Sequence, residues 1–349
     1  MAPYKRNVYC EIKFLEKIFE ELSQSLTLCD VNIDLIKKLI NIKTFIDQSR
    51  INLNIDSNTF KEQYVKSDLT TLYDRLWKRH TGAMSCVKFL EEHKVEFVEE
   101  QIVRPEGLNM AYLLNQGSAI CEHYANKYGV ICLCPTKECS YLFRDCGSYI
   151  QKGENFQWSG IFKDEYHLSY CNSMVIIDNY ILPGINKNLL PIIEQLLPES
   201  LKGNLEFYLT IITHDDTKKN YKYEEIYNNI LRAIQKKRPK LKCQVELYVK
   251  QGETAFHDRT ILTNNIKIDS GAGFSLIKGE KSQHSTEIHI LHPGIQQLSD
   301  TCEESYNRIL KTAREITKKI DDKSKGYGMR YPVGQTCKNR LIMTHDENN

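Results

Sequence analysis

Three short apolar runs constrain this chain more than any other feature: SMVIIDNYIL (residues 173–182), LEFYLTIIT (205–213) and CQVELYVK (243–250). Each is rich in β-branched residues and too short for a helix of ordinary length, so each reads as a strand buried on both faces. The stretches between them, NKNLLPIIEQLLPESL (186–201) and YKYEEIYNNILRAIQKK (221–237), carry apolar residues at helical spacing. Strand, helix, strand, helix, strand is the alternation of an α/β layer, because parallel neighbours need a crossover of about that length. FHDRTILTN (256–264) and NIKIDSGAGF (265–274) follow as a hairpin-like pair, and TEIHILH (286–292) as a closing strand. A long helix, SDTCEESYNRILKTAREITKKIDDK (299–323), ends the layer. The fold class expected is α+β or α/β, a helical N-terminal region followed by a mixed sheet flanked by helices.

Upstream the texture differs. Leu15, Ile18, Phe19 and Leu22 would share one face of a first helix, and Leu35, Leu39, Ile42 and Ile46 would line a second. Residues 68–98 continue in the same style, and GLNMAYLLNQGSAICEHYANKYG (107–129) contains a helix-like segment that ends near Gly129, ahead of the apolar run VICLC (130–134). The organisation expected is therefore residues 1–165 mainly helical with a Cys-rich segment, 166–325 the α/β domain, and 326–349 an irregular tail.

Charge and cysteine content remove several classes. A net charge of +2 gives no global basic field, so a phosphate-binding surface would have to be local. The N-terminus lacks a secretory pattern and no run is long enough to span a bilayer, so the expectation is a cytoplasmic protein without a transmembrane segment. Twelve cysteines in such a chain are expected to be reduced thiols. Cys121, Cys132, Cys134, Cys139 and Cys146 lack the paired knuckles of a zinc site, so neither a metal nor a cofactor is implied.

The candidate chemistry lies in FHDRTILTNNIKIDSGAGF (256–274). Together with VIIDNY and LTIIT, this segment resembles the phospholipase D-like fold, in particular the degenerate C-terminal domain of MIT-domain proteins and their bacterial relatives. The resemblance spans Ser173 to about Ile290, roughly a third of the chain. Active members of that family carry H-x-K-x₄-D, usually twice. One His attacks phosphorus, a second protonates the leaving group, and the lysines stabilise the equatorial oxygens. Here His257 matches the His, Arg259 stands in the Lys position and Asn264 in the Asp position, with Gly271 and Gly273 near the family's glycines. None of the ten histidines is followed two residues later by Lys, so the second copy is missing. Arg259 keeps a charge but not a compact ammonium, and Asn264 cannot support an imidazolium.

The resemblance thus implies a non-hydrolytic recognition or adaptor module for a phosphate-bearing ligand, nucleic acid or nucleotide, or for a partner protein. The bacterial relatives suggest antiphage defence. The ligand-binding residues expected are His257, Arg259, Asn264, Asp178 and His214. The alternative is a dimeric nuclease or phosphodiesterase with His257 as its catalytic residue. Arg259 is also placed to pair with Asp178 on the VIIDNY strand, and His214 ends the LTIIT strand, where α/β proteins hold ligand groups. KKRPKLK (236–242) and the tail residues Arg330, Lys338 and Arg340 are weaker candidates, as is a protein-partner role for the helical N-terminal region.

Overall fold

The computed structural model describes residues 7–27, 42, 45–46, 49–65, 71–82, 87–90, 98–103, 110–128, 130–135, 146–155, 171–182, 185–201, 205–215, 221–252, 259–264, 266–271, 274, 277–278, 281–282, 285–291, 300–322, 326–335, 338–339 and 341–342. The chain divides into two compact units, Met1–Phe143 and Arg144–Asn349.

The first unit is built on a parallel sheet. Its strands are β1 (Asn7–Cys10), β2 (Arg50–Leu53), β3 (Val87–Phe89), β4 (Ala111–Leu113) and β5 (Ile131–Leu133), in the order β3-β2-β1-β4-β5. The paired registers are all parallel. Helices α1 (Ile12–Thr27), α2 (Ser57–Phe60), α3 (Thr71–Thr81), α4 (Val98–Val103) and α5 (Ser118–Tyr128) lie in the connections, as parallel strands require. The helical stripe expected on α1 is present, with Leu15 and Ile18 buried and Phe19 stacked on Tyr73 at 5.2 Å. Of the second expected helix, Ile42 and Ile46 are described and buried, while the rest lies outside the described residues. Helices supply most of the regular structure described in this unit, as expected, and the five short strands that run between them are the addition. Each strand has three or four residues, too few to display a period of two, and β4 and β5 are buried throughout.

The second unit carries an eight-stranded mixed sheet. β6 (Cys146–Ile150), β7 (Ser173–Ile177), β8 (Phe207–His214), β9 (Cys243–Lys250), β10 (Arg259–Thr263), β11 (Lys267–Ser270), β14 (Thr286–Leu291) and β15 (Gly328–Tyr331) stand in the order β15-β9-β8-β7-β10-β11-β14-β6. The hairpin β12 (Ile277–Lys278) and β13 (Lys281–Ser282) lies apart from this sheet. The three apolar runs are adjacent and parallel, Ile177 opposite Ile212 and Leu247 opposite Ile211. Helices α6 (Ile185–Leu196) and α7 (Tyr223–Lys237) cover one face through Leu189, Ile193, Ile230 and Ile234. The long helix α8 (Asp300–Asp321) packs Leu310, Ala313 and Ile316 against Val175, Ile177 and Ile212 on the other. Alternate residues of β7 thus enter opposite cores, and burial on both faces is why its sequence runs apolar without a break.

Two boundaries differ from those expected. The first unit ends at Phe143 rather than 165, because β6, drawn from the Cys-rich segment, pairs antiparallel with β14. The tail is not irregular throughout. β15 pairs antiparallel with β9, and Leu341 and Ile342 are buried against α8 and the sheet. No helix among the described residues is long and apolar enough to cross a membrane.

Candidate functional site

β7 and β10 run antiparallel with Ile177 opposite Thr260, so the next pair in that register is Asp178 and Arg259. Asp178 is 2% exposed and lies 3.9 Å from Arg259 Nε, whose side chain is 24% exposed. Backbone amides complete the carboxylate's surroundings: Tyr180 N–H donates to Oδ1 at 2.8 Å and Phe274 N–H to Oδ2 at 3.3 Å. Burial pushes the Asp178 carboxyl above its ordinary range, and these amides together with Arg259 pull the other way. Arg259 Nη1 donates to the Gly271 carbonyl at 2.8 Å, and the guanidinium carbon stands 5.1 Å from the Tyr180 ring centroid. Arg259 is therefore tied to the end of one strand, the turn after another and an aromatic face.

Asn264 is elsewhere. It follows the far end of β10, five residues from Arg259 and so about 16 Å along an extended strand. Its Oδ1 accepts from the amides of Asn172 and Ser173 at 3.0 and 2.9 Å, which fixes the entry into β7. Arg259 and Asn264, expected to act in one site, serve opposite ends of the same strand pair. His257 lies outside the described residues.

His214 shares the edge with Asp178, since Ile212 pairs with Ile177 and both strands run in the same direction. Its Nε2 is engaged with the Gly252 carbonyl. The neighbouring Asp215 accepts from the hydroxyl of Tyr223 and from Gln251 Nε2, so its carboxylate is committed to holding loops. Of the basic stretch at 236–242, Arg238 donates to the Leu197 and Glu194 carbonyls and pairs with Glu199 at 3.1 Å. Arg330 of the tail is interior, 2.8 Å from Glu246 and 3.0 Å from Asp321. Arg340 lies outside the described residues.

In the first unit, Cys121, Cys132 and Cys134 are buried, and burial pushes the Cys132 thiol well up. Among the described residues no group of three His, Cys, Asp or Glu side chains is placed to hold a metal ion.

Two features went unread in the sequence. One is Tyr180, 58% exposed in the turn after β7 and backed by Arg259. The other is the carboxyl edge of the parallel sheet, where the strand order reverses between β1 and β4. There Glu11, 8% exposed, donates its N–H to Leu113 at 2.9 Å and accepts from Asn115 N–H at 2.5 Å. Burial raises that carboxyl above its usual range. Asn54 Oδ1, just past the end of β2, accepts from Ile12 N–H at 2.7 Å and so caps α1.

No protein-family model matches the chain, and no curated protein does. Among solved structures it is similar to that described as "Structure of TrmBL2, an archaeal chromatin protein, shows a novel mode of DNA binding", with 10% identity and a TM-score of 0.22. The match covers 48% of this chain and 53% of that one, so this chain spans about half of its neighbour's length. A TM-score of that size does not establish a shared fold.

Proposed function

We propose that the Arg144–Asn349 unit is a phospholipase D-like module that binds a phosphate-bearing ligand, nucleic acid or nucleotide, and does not hydrolyse it. The observation that carries this reading is the employment of the two substituted motif residues. Arg259 is tethered to Asp178 and to the Gly271 carbonyl. Asn264 organises the amides of Asn172 and Ser173 on the opposite edge. Phosphoryl transfer through a histidine needs a free cation on the equatorial oxygens and a carboxylate to support the imidazolium. Arg259 has a neighbouring carboxylate to satisfy, and Asn264 carries no charge. What the edge keeps is a partly exposed guanidinium, with His214 two strands away at the same end of the sheet, which suits recognition of a phosphate better than its cleavage.

The test is turnover and binding on the full chain. Purified protein is expected to leave single- and double-stranded DNA, RNA and a chromogenic phosphodiester intact, with and without divalent metal. It is expected to bind labelled oligonucleotide at low salt, with affinity that falls as salt rises. Metal-independent cleavage that disappears in a folded His257→Ala protein would establish the dimeric nuclease instead.

A further inference from the structure

The turn after β7 holds its backbone rigidly and its side chain in solvent. Asp178, buried and bonded to the Phe274 amide, accepts from Tyr180 N–H at 2.8 Å, so the ring's point of attachment is locked to the core. Arg259, 5.1 Å from the ring centroid, lies over one face and is itself held by the Gly271 carbonyl at 2.8 Å. The ring nevertheless remains 58% exposed, so burial does not account for its placement. A tyrosine in a turn ordinarily either packs down or moves freely with its backbone. Here the backbone is fixed, one face is backed by a cation and the remainder is open to solvent.

We propose that Tyr180 is a stacking platform for a nucleobase, so that the ligand of this edge is a base-bearing phosphate, a nucleotide or an unpaired strand. The proposal rests on the reading above that this edge binds phosphate, and it adds the chemistry of the group attached to that phosphate. Stacking on an aromatic face is tolerant of base identity and needs a base whose own face is free, which a duplex does not offer. Arg259 contributes twice, as a cation against the ring and as a charge for the adjoining phosphate. His214, at the end of the neighbouring strand, lies on the same edge.

The experiment uses the full chain, a short oligothymidylate, an abasic deoxyribose-phosphate strand of equal length, and thymidine monophosphate as competitor. Wild-type protein is expected to bind oligothymidylate more tightly than the abasic strand. Tyr180→Ala is expected to weaken oligothymidylate binding by about 5- to 150-fold, the range for losing one stacked base, and to leave abasic binding unchanged. Tyr180→Phe should retain the preference, since it keeps the ring. Competition by the mononucleotide would identify a nucleotide ligand, and its failure a strand; either supports the proposal. If wild-type protein binds both strands equally and Tyr180→Ala alters neither affinity, stacking is overturned while the phosphate reading stands. If wild-type protein binds neither strand, both fall. The ring is exposed, so an unchanged melting temperature in each variant serves as the folding control.

Discussion

At the scale of single residues, Asp178 decides how the candidate site behaves. Its carboxylate lies in the sheet edge with two amides and one guanidinium around it, and burial still raises its proton affinity. The folded state therefore holds that proton more tightly than the unfolded chain does. The group's contribution to stability is fullest below the unfolded carboxylate value, about 3.9, and falls as pH rises through the elevated folded value. Arg259 offsets part of that cost. Arg259→Ala is expected to destabilise the protein at neutral pH by about 1–3 kcal/mol, because the buried carboxylate keeps its two amides but loses its countercharge. The guanidinium is 24% exposed, so the larger figure for a wholly buried pair does not apply. The deficit should shrink as pH falls towards 4, because a protonated Asp178 no longer needs a cation. Melting curves of wild type and variant across pH measure this. A deficit independent of pH would mean that Arg259 acts through Gly271 and Tyr180 instead of through Asp178.

At the scale of elements, the last strand joins sheet to helix. β15 adds to β9, and Glu246 on β9 gathers Arg330 Nη2 at 2.8 Å, the amide of Lys338 at 3.0 Å and the hydroxyl of Thr210 at 2.9 Å. Asn339 then donates to the Met174 carbonyl at 3.0 Å and to Thr210 Oγ1 at 3.0 Å, which stitches the tail over the middle of the sheet. The tight point is Gly328. A Cβ there would overlap the Val249 carbonyl oxygen and come 2.9 Å from Ile320 Cδ1. Gly328→Ala is therefore expected to cost about 1–3 kcal/mol by forcing β15 off the edge. Gly117→Ala, where a Cβ meets nothing within 4 Å, should stay within about 0.5 kcal/mol. Denaturant unfolding of the two variants makes the comparison, and equal stabilities would remove β15 from its place against β9.

At the scale of the whole molecule, each unit has a sheet and a core of its own, so each is expected to fold as a cooperative body. The position of the boundary is the sharper matter. A fragment of residues 144–349 keeps β6 on the edge of the second sheet, whereas one of residues 166–349 strips it and leaves β14 unpaired on that side. An exposed edge strand presents a row of free amides and carbonyls to other chains. The longer fragment is expected to melt cooperatively and elute as a defined species. The shorter one should melt lower and associate. Equal behaviour of the two on thermal melting and size exclusion would place the boundary downstream of β6.

Burial on two faces left its mark directly on the amino-acid order of β7, β8 and β9, each an apolar run separated from the next by a helical stretch. Those strands, their adjacency and the mixed class of the second unit were legible for that reason. The charges of Asp178 and Arg259 marked strand ends, and opposite signs at such ends made their pairing readable. Other elements left no comparable trace. Strands of three or four residues in the first unit have no period to show, and the amides they pair with lie far along the chain. Arg330 reads as a solvated tail cation until Glu246, 84 residues away, is brought against it. Tyr180 is one of 20 tyrosines, and only the turn at Asp178 and the reach of Arg259 set it apart. Local pattern records which residues must leave water, whereas which partners they meet there is a long-range choice that only the tertiary structure makes.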